Sequence, residues 1–287
     1  MKTIGFIGVG VMGKSMVRNL MKNGFEVFIY TRTKSKALDV IAEGAVWCDD
    51  VASCVRDRDA VITIVGYPSD VEEVYFGEKG ILEHARPGAY LIDMTTTSPR
   101  LSQRIYAQAR ERGLSALDAP VSGGDTGARN ATLSIMVGGD REAFDACRDI
   151  FAALGSNVVY EGGAGLGQHT KMANQIALTA VVAGLCEAIS YSRKAGLDPQ
   201  TMLNSISKGA AGSWQMDNTA PKMLSGDMAP GFFIKHFIKD MKIADEEATA
   251  AGLEMPVLRQ VLGMYEVLDE RGEGDLGTQA LIHYYSE

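Results

Sequence analysis

An apolar run near the N-terminus, Thr3–Ile7, leads into Gly8-Val9-Gly10-Val11-Met12-Gly13 and then straight into an amphipathic segment, Met12–Asn23. Few folds accept that order. The first glycine permits a tight turn, the second lets a pyrophosphate approach the backbone, and the third packs helix against strand. The helix start then offers unpaired N–H groups and its positive dipole end to phosphate. The spacing predicts a βαβ unit that binds a dinucleotide through Gly8, Val9, Gly10, Val11, Met12 and Gly13. An incidental glycine turn is the competing reading.

The same alternation continues. Strand-like runs at Glu26–Tyr30, Ala45–Trp47, Ala60–Val65, Tyr90–Asp93, Ser115–Asp118, Leu133–Val137 and Asn157–Tyr160 are interleaved with helix-like runs at Lys34–Glu43, Asp70–Tyr75, Arg100–Arg112 and Arg141–Leu154. Nearly continuous apolar strands between helices predict a doubly wound, parallel α/β sheet covered on both faces. After Tyr160 the character changes. The glycines from Gly162 to Gly167 read as a flexible junction, and Gln168–Ala195 reads as one long helix, apolar nearly all round from Ile176 to Ile189. Further helices fit Pro199–Gly209, Asp240–Ala251, Pro256–Arg271 and Gln279–Tyr285. The expected architecture is a Rossmann-type dinucleotide-binding domain over 1–162 and an all-helical substrate and oligomerisation domain over 163–287. A helix apolar on so many faces must be covered by other helices or another subunit, which predicts a homodimer or homotetramer.

A net charge of −8 over 287 residues, with 46% hydrophobic and 22% charged residues, describes an ordinary folded chain and counts against a nucleic-acid partner. Cys48, Cys54, Cys147 and Cys186 form no C-x-x-C pair, and His84, His169, His236 and His283 lack metal-ligand spacing. Reduced thiols, no metal and a cytoplasmic setting are the expectation. With Met1-Lys2 running straight into the first strand, no signal peptide is expected. The uncharged stretch Met172–Cys186 is shorter than the ~20 residues of a membrane span.

Four further motifs can carry chemistry. At the end of the second strand, where an acid usually meets the ribose hydroxyl of NAD, the chain reads Tyr30-Thr31-Arg32-Thr33. Arg32 can pair with a 2′-phosphate, and Thr31 and Thr33 can add hydroxyls, so NADP is the expected cofactor and NAD remains possible. In Asp118-Ala-Pro-Val-Ser122-Gly123-Gly124, exposed N–H groups can cradle a carboxylate, although a plain glycine turn reads equally well. Lys171, Asn174 and Gln175 stand at i, i+3 and i+4, on one face of the long helix. A partly desolvated lysine there suits proton transfer, and a lysine simply lying along a helix start is the alternative. Lys235 and Lys239, in Phe232–Asp240, can reach an anion or form a solvated face.

Taken together, these motifs resemble the β-hydroxyacid dehydrogenase family along essentially the whole chain. Gly8–Met16 is similar to its glycine fingerprint, Asp118–Gly124 to its D-A-P-V-S-G-G substrate loop, Gly165–Gln175 to its G-x-G-x-x-x-K-x-x-N helix, and Lys239-Asp240 to its K-D pair. The resemblance implies an NADP(H)-dependent oxidoreductase interconverting a small β-hydroxyacid and its aldehyde acid, with Lys171 as general acid/base. It further implies substrate binding by Ser122, Gly123, Gly124, Asn174 and Gln175. Cofactor contacts would come from Val65, Pro68 and Thr96 at two strand ends and from Lys239. The family includes tartronate semialdehyde reductases (2-hydroxy-3-oxopropionate reductases), 3-hydroxyisobutyrate dehydrogenases and glyoxylate/succinic semialdehyde reductases. Gln175 resembles the first of these, where 3-hydroxyisobutyrate dehydrogenases usually carry Asn. Ala131 replaces a glycine of the family's pattern after the substrate loop, and Thr31 replaces the Asn often preceding the arginine in NADP-using relatives. Imine reductases usually lack a lysine at the position of Lys171, and an NADPH-binding scaffold would have lost it. A 6-phosphogluconate dehydrogenase would have a far longer helical domain.

Overall fold

The computed structural model describes residues 1–285. The chain divides into two compact units, Met1–Lys171 and Met172–Glu287.

The first unit is built on a sheet of nine strands among the described residues: β1 (Thr3–Ile7), β2 (Glu26–Tyr30), β3 (Val46–Trp47), β4 (Ala60–Thr63), β5 (Tyr90–Asp93), β6 (Ser115–Asp118), β7 (Val121–Ser122), β8 (Leu133–Gly139) and β9 (Gly155–Gly162). Their order is β3-β2-β1-β4-β5-β6-β8-β7, with β9 also on β8. The first six are parallel, in the doubly wound order whose switch point lies between β1 and β4. The sheet is not parallel throughout, however. β8 runs antiparallel to β6 and β7, because only a short turn and the helix Gly124–Asn130 separate β7 from β8.

Side chains alternate between faces along each strand, as the two-residue period requires. Phe6, Ile62 and Ile92 join the helices Val11–Lys22 and Arg148–Leu154 in one core, while Ile7, Val61 and Leu91 join Tyr75, Ile81 and Ile105 in another. Boundaries read from sequence shift modestly. Lys34–Glu43 is a 3₁₀ turn followed by a helix, and Arg141–Leu154 breaks at Cys147. The segment Gly162–Gly167 is no flexible linker. It comprises the last residue of β9, a tight turn and the first residues of the long helix Leu166–Lys194. The two compact units divide inside that helix, between Lys171 and Met172.

In the second unit, Val182, Leu185, Cys186 and Ile189 pack with Phe237, Met241, Tyr265, Leu268 and Leu281. Phe237 and Tyr265 meet edge to face, with ring centroids 5.3 Å apart. The helix running to Ala250 begins at Ile234, earlier than the polar pattern from Asp240 suggests, and Thr278–Tyr285 is 3₁₀ rather than α. By length and composition Leu166–Lys194 is sufficient to cross a membrane, but half of its middle is packed into this core. The opposite face is exposed and small: Ala173, Ala177, Ala180, Val181 and Gly184 recur at three- and four-residue steps. All four cysteines are free and buried.

That exposed apolar stripe lets another helix approach closely, and we expect a second copy of the chain to cover it. Multi-angle light scattering at micromolar concentration should give a dimer or tetramer. A particle of 30.8 kDa would contradict this expectation.

Candidate active site

The carboxyl ends of the parallel strands lie along one edge of the sheet, and the segments singled out from the sequence follow them. Gly8–Gly13 joins β1 to the helix Val11–Lys22. Gly8 has φ +105°, and a Cβ there would sit 2.0 Å from the Ile64 carbonyl oxygen, so only glycine fits beside the end of β4. A Cβ on Gly13 would meet the Gly8 carbonyl at the same distance, whereas one on Gly10 would meet nothing within 4 Å. Close packing at the first and third glycines with open space at the second is the arrangement a pyrophosphate requires. The helix start carries no acidic residue in its first turn. These residues fit a dinucleotide.

Thr31, Arg32 and Thr33 follow β2. Arg32 is largely exposed, and its Nη1 lies 3.1 Å from Asp70 Oδ1. Asp70 Oδ2 in turn accepts from the Tyr67 N–H at 3.0 Å, capping the helix that opens at Pro68. A carboxylate thus sits beside the guanidinium proposed for a 2′-phosphate, which the sequence pattern did not suggest. Val65, after β4, donates its N–H to Thr95 Oγ1 at 3.0 Å. Thr96, after β5, is half-buried.

Beneath that edge lies a buried carboxyl. Asp93 ends β5, and its Oδ1 accepts from Thr63 Oγ1 (2.7 Å) and Thr95 N–H (3.1 Å). Oδ2 has no protein partner among the described residues. Burial, reinforced by the nearby charge of Asp118, pushes its pKa up from 3.8 to about 6. Asp118 ends β6. Its Oδ1 accepts from Gly165 N–H at 2.8 Å and its Oδ2 from Gln168 N–H at 2.9 Å. Burial raises its pKa too, although those N–H groups pull the other way. The carboxylate therefore caps the long helix at the point where it leaves the sheet. A Cβ on Gly167 would fall 2.6 Å from the Asp118 carbonyl and 2.5 Å from that of Met136, so the helix can come this close only with glycine there.

Ser122 ends β7, and Gly123-Gly124 starts the helix Gly124–Asn130. Lys171 lies one turn beyond Gln168, with 6% of its surface exposed. Asn174 and Gln175 occupy the next turn and are joined, Asn174 Nδ2 donating to Gln175 Oε1 at 2.7 Å. The Nε2 of fully buried Gln175 donates to Asp240 Oδ2 at 2.6 Å. Lys239 Nζ lies 2.9 Å from the other Asp240 oxygen, an ion contact without hydrogen-bond alignment. Gln175, expected beside the substrate, spends both polar ends inside the helical unit, where it holds Asn174. Asp93 and Gln168 were given no role by the motifs, and Asp118 and Asp240, although inside those motifs, were given none of their own. Their signal was burial, which a motif does not display.

Residues 3–162 match the NAD binding domain of 6-phosphogluconate dehydrogenase, and residues 165–285 match the family described as NAD-binding of NADP-dependent 3-hydroxyisobutyrate dehydrogenase. The chain belongs to the β-hydroxyacid dehydrogenase family. This family member is 56% identical to the Uncharacterized oxidoreductase YkwC of Bacillus subtilis (strain 168), over 98% of this chain and 97% of the relative. It is 34% identical to the 2-hydroxy-3-oxopropionate reductase of Escherichia coli (strain K12), over 97% and 95% of the two chains. Among solved structures, Psf3 in complex with NADP+ and 2-OPP superimposes with a TM-score of 0.92 at 25% identity, covering 99% of this chain and 100% of that one. The β-hydroxyacid dehydrogenase is accordingly an NAD(P)-dependent oxidoreductase acting on hydroxyl groups, with a nicotinamide cofactor.

The raised pKa of Asp93 has a definite sign. The fold favours the neutral carboxyl, so its contribution to stability is fully present below about pH 4 and is lost as pH rises through 6. A shift of this size corresponds to on the order of 3 kcal/mol. Asp93→Asn fixes the neutral form. Between pH 4.5 and 7.5 the melting temperature of the unaltered protein should drop by several degrees relative to the variant. Parallel melting curves across that window would show that Asp93 does not titrate there.

Proposed function

We propose that this dehydrogenase is an NADP(H)-dependent reductase of a small aldehyde acid, similar in activity to tartronate semialdehyde (2-hydroxy-3-oxopropionate) reductase. The observation that carries the reading is the placement of Lys171. It is buried on the first turns of a helix bonded to the ends of β5 and β6, and Asn174 follows on the same helix face. Gln175, as in tartronate semialdehyde reductases, supports this substrate over 3-hydroxyisobutyrate. The buried, unpaired thiols support a cytoplasmic setting.

A nicotinamide bound here would supply the hydride for the aldehyde carbon. Lys171 gives a proton from Nζ to the oxygen that becomes the alcohol, and takes it back in oxidation. Ser122 Oγ and the Gly123 and Gly124 N–H groups hold the substrate carboxylate. Gln175, anchored on Asp240, keeps Asn174 in place on the same helix face. Gly8–Gly13 would hold the pyrophosphate on the helix start. Val65, Pro68 and Thr96 would border the nicotinamide. Arg32, flanked by Thr31 and Thr33, would pair with the 2′-phosphate. Asp70 keeps the guanidinium at the sheet edge and leaves part of its fork for that phosphate.

Two substitutions test these assignments. Lys171→Ala should lower kcat about 10²- to 10⁴-fold, the usual range for a positioned proton donor, and leave NADPH affinity nearly unchanged. Lys171→Arg should not restore activity, because a guanidinium does not cycle a proton at neutral pH. Retention of more than about a tenth of kcat by the alanine variant would remove Lys171 from this role. Arg32→Ala should raise the NADPH Kd roughly ten- to a hundredfold while NADH binding hardly changes. Titrations that weaken both cofactors equally would make Arg32 a structural residue.

A further inference from the structure

We propose that Gln168 is a positioning residue, one that sets where Lys171 stands against the strand end Thr95–Thr97, with Asp118 as the anchor of the same turn. The proposal rests on the reading of Lys171 as the proton donor.

Gln168 is fully buried, so its amide must find partners within the protein. Its Oε1 accepts from Thr97 N–H at 3.1 Å, and its Nε2 donates to Thr95 C=O at 2.7 Å. One side chain thus engages the main chain of two residues flanking Thr96, much as a neighbouring strand would. Its own N–H goes to Asp118 Oδ2 at 2.9 Å. The helix start is therefore fixed at two strand ends. Its main chain is held by Asp118 at the end of β6, and its side chain is held by the segment after β5. Thr95 extends the chain of bonds, since its Oγ1 accepts from Val65 N–H at 3.0 Å and its own N–H donates to Asp93.

Capping by Asp118 alone would satisfy the helix terminus. It would not fix the rotation of the first turn relative to Thr95–Thr97. The two bonds of Gln168 supply that constraint, and Lys171 lies three residues further along the same helix face. A turn rotated by a few degrees moves the lysine relative to the reacting atoms, and a misplacement of about 1 Å costs up to ~10²-fold in rate. Shape alone does not explain the residue, because methionine fills nearly the same volume without either bond. The ionisable groups bonded into this network are Asp93 and Asp118, with Lys171 one turn along.

The test uses the full chain, with NADPH saturating, at 25 °C and with folding checked by circular dichroism. Gln168→Met should lower kcat about 10- to 100-fold with KM for NADPH within about twofold of the unaltered enzyme; a residue that only stabilised the fold would leave kcat alone. Gln168→Glu keeps the acceptor for Thr97 N–H, but only its protonated form can donate to Thr95 C=O. Its kcat should acquire a pH limb that the unaltered enzyme lacks, activity falling as the new carboxyl ionises. A folded Gln168→Met enzyme with kcat within about threefold of the original, or a Gln168→Glu profile parallel to it, would overturn the proposal. Should Gln168→Met fail to fold, the Gln168→Glu profile decides.

If the unaltered protein turned over neither tartronate semialdehyde nor related aldehyde acids, the role given to Lys171 would fail instead. Amide hydrogen exchange over residues 165–171 would then decide the question for Gln168. Faster exchange by tenfold or more in Gln168→Met, with the sheet amides unchanged, supports the clamp, and equal exchange refutes it.

Discussion

Asp118 occupies a position where three requirements meet. It closes β6, it is almost completely buried, and both its oxygens receive main-chain N–H groups from the start of the long helix. A helix leaves its first N–H groups without partners, and a buried carboxylate is costly without donors. Each offsets part of the other's penalty, and burial still leaves the Asp118 pKa raised. Because the contact requires near-touching backbones, it also accounts for the glycines around it. A Cβ on Gly138 would sit 2.6 Å from Asp118 Oδ1, and one on Gly167 2.9 Å from Oδ2. That cap holds the first turn of the long helix at the end of β6.

Much of this architecture was legible in the sequence. The run Thr3–Ile7 followed by Gly8–Gly13 leads to the first strand, the turn and the helix, and each of the six parallel strands has its own apolar run. What periodicity could not show was β8 reversing direction, since an apolar strand looks the same read either way. Short helices such as Val51–Val55 and Gly124–Asn130 escaped as well. At one turn or two, they hardly display a helical period.

Gly162–Gly167 shows a more instructive failure. Glycine is chosen where the backbone must be free to move and equally where another backbone must come close. The sequence does not distinguish these uses. Here the second applies at Gly167, where a Cβ would sit 2.5 Å from the Met136 carbonyl, whereas one on Gly163 would meet nothing within 4 Å. Burial hides polar residues in the same way. Gln168 reads as one more residue between the motif's glycines and its lysine, and only the positions of Thr95 and Thr97 give its amide a purpose. Arg32 illustrates the converse: the arginine is visible in the sequence, while Asp70, brought beside it by the fold, is not.

Lys171 itself is the clearest case of a residue whose place in the chain misleads. It lies on a helix that runs on into the helical unit, yet by its contacts it belongs to the sheet unit. The reason is the pair of attachments one turn earlier, at Asp118 and at Thr95–Thr97. Under the proposed role, a misplacement of about 1 Å costs up to ~10²-fold in rate. The bonds of the first helical turn to Asp118 and to Thr95–Thr97 tie the lysine to the sheet. Beyond it, Asn174 and Gln175 take their support from a different source, the buried Asp240 of the helical unit. A single helix therefore carries two adjoining sets of polar residues, each fixed by a carboxylate from its own unit, and the boundary between the units passes between Lys171 and Met172.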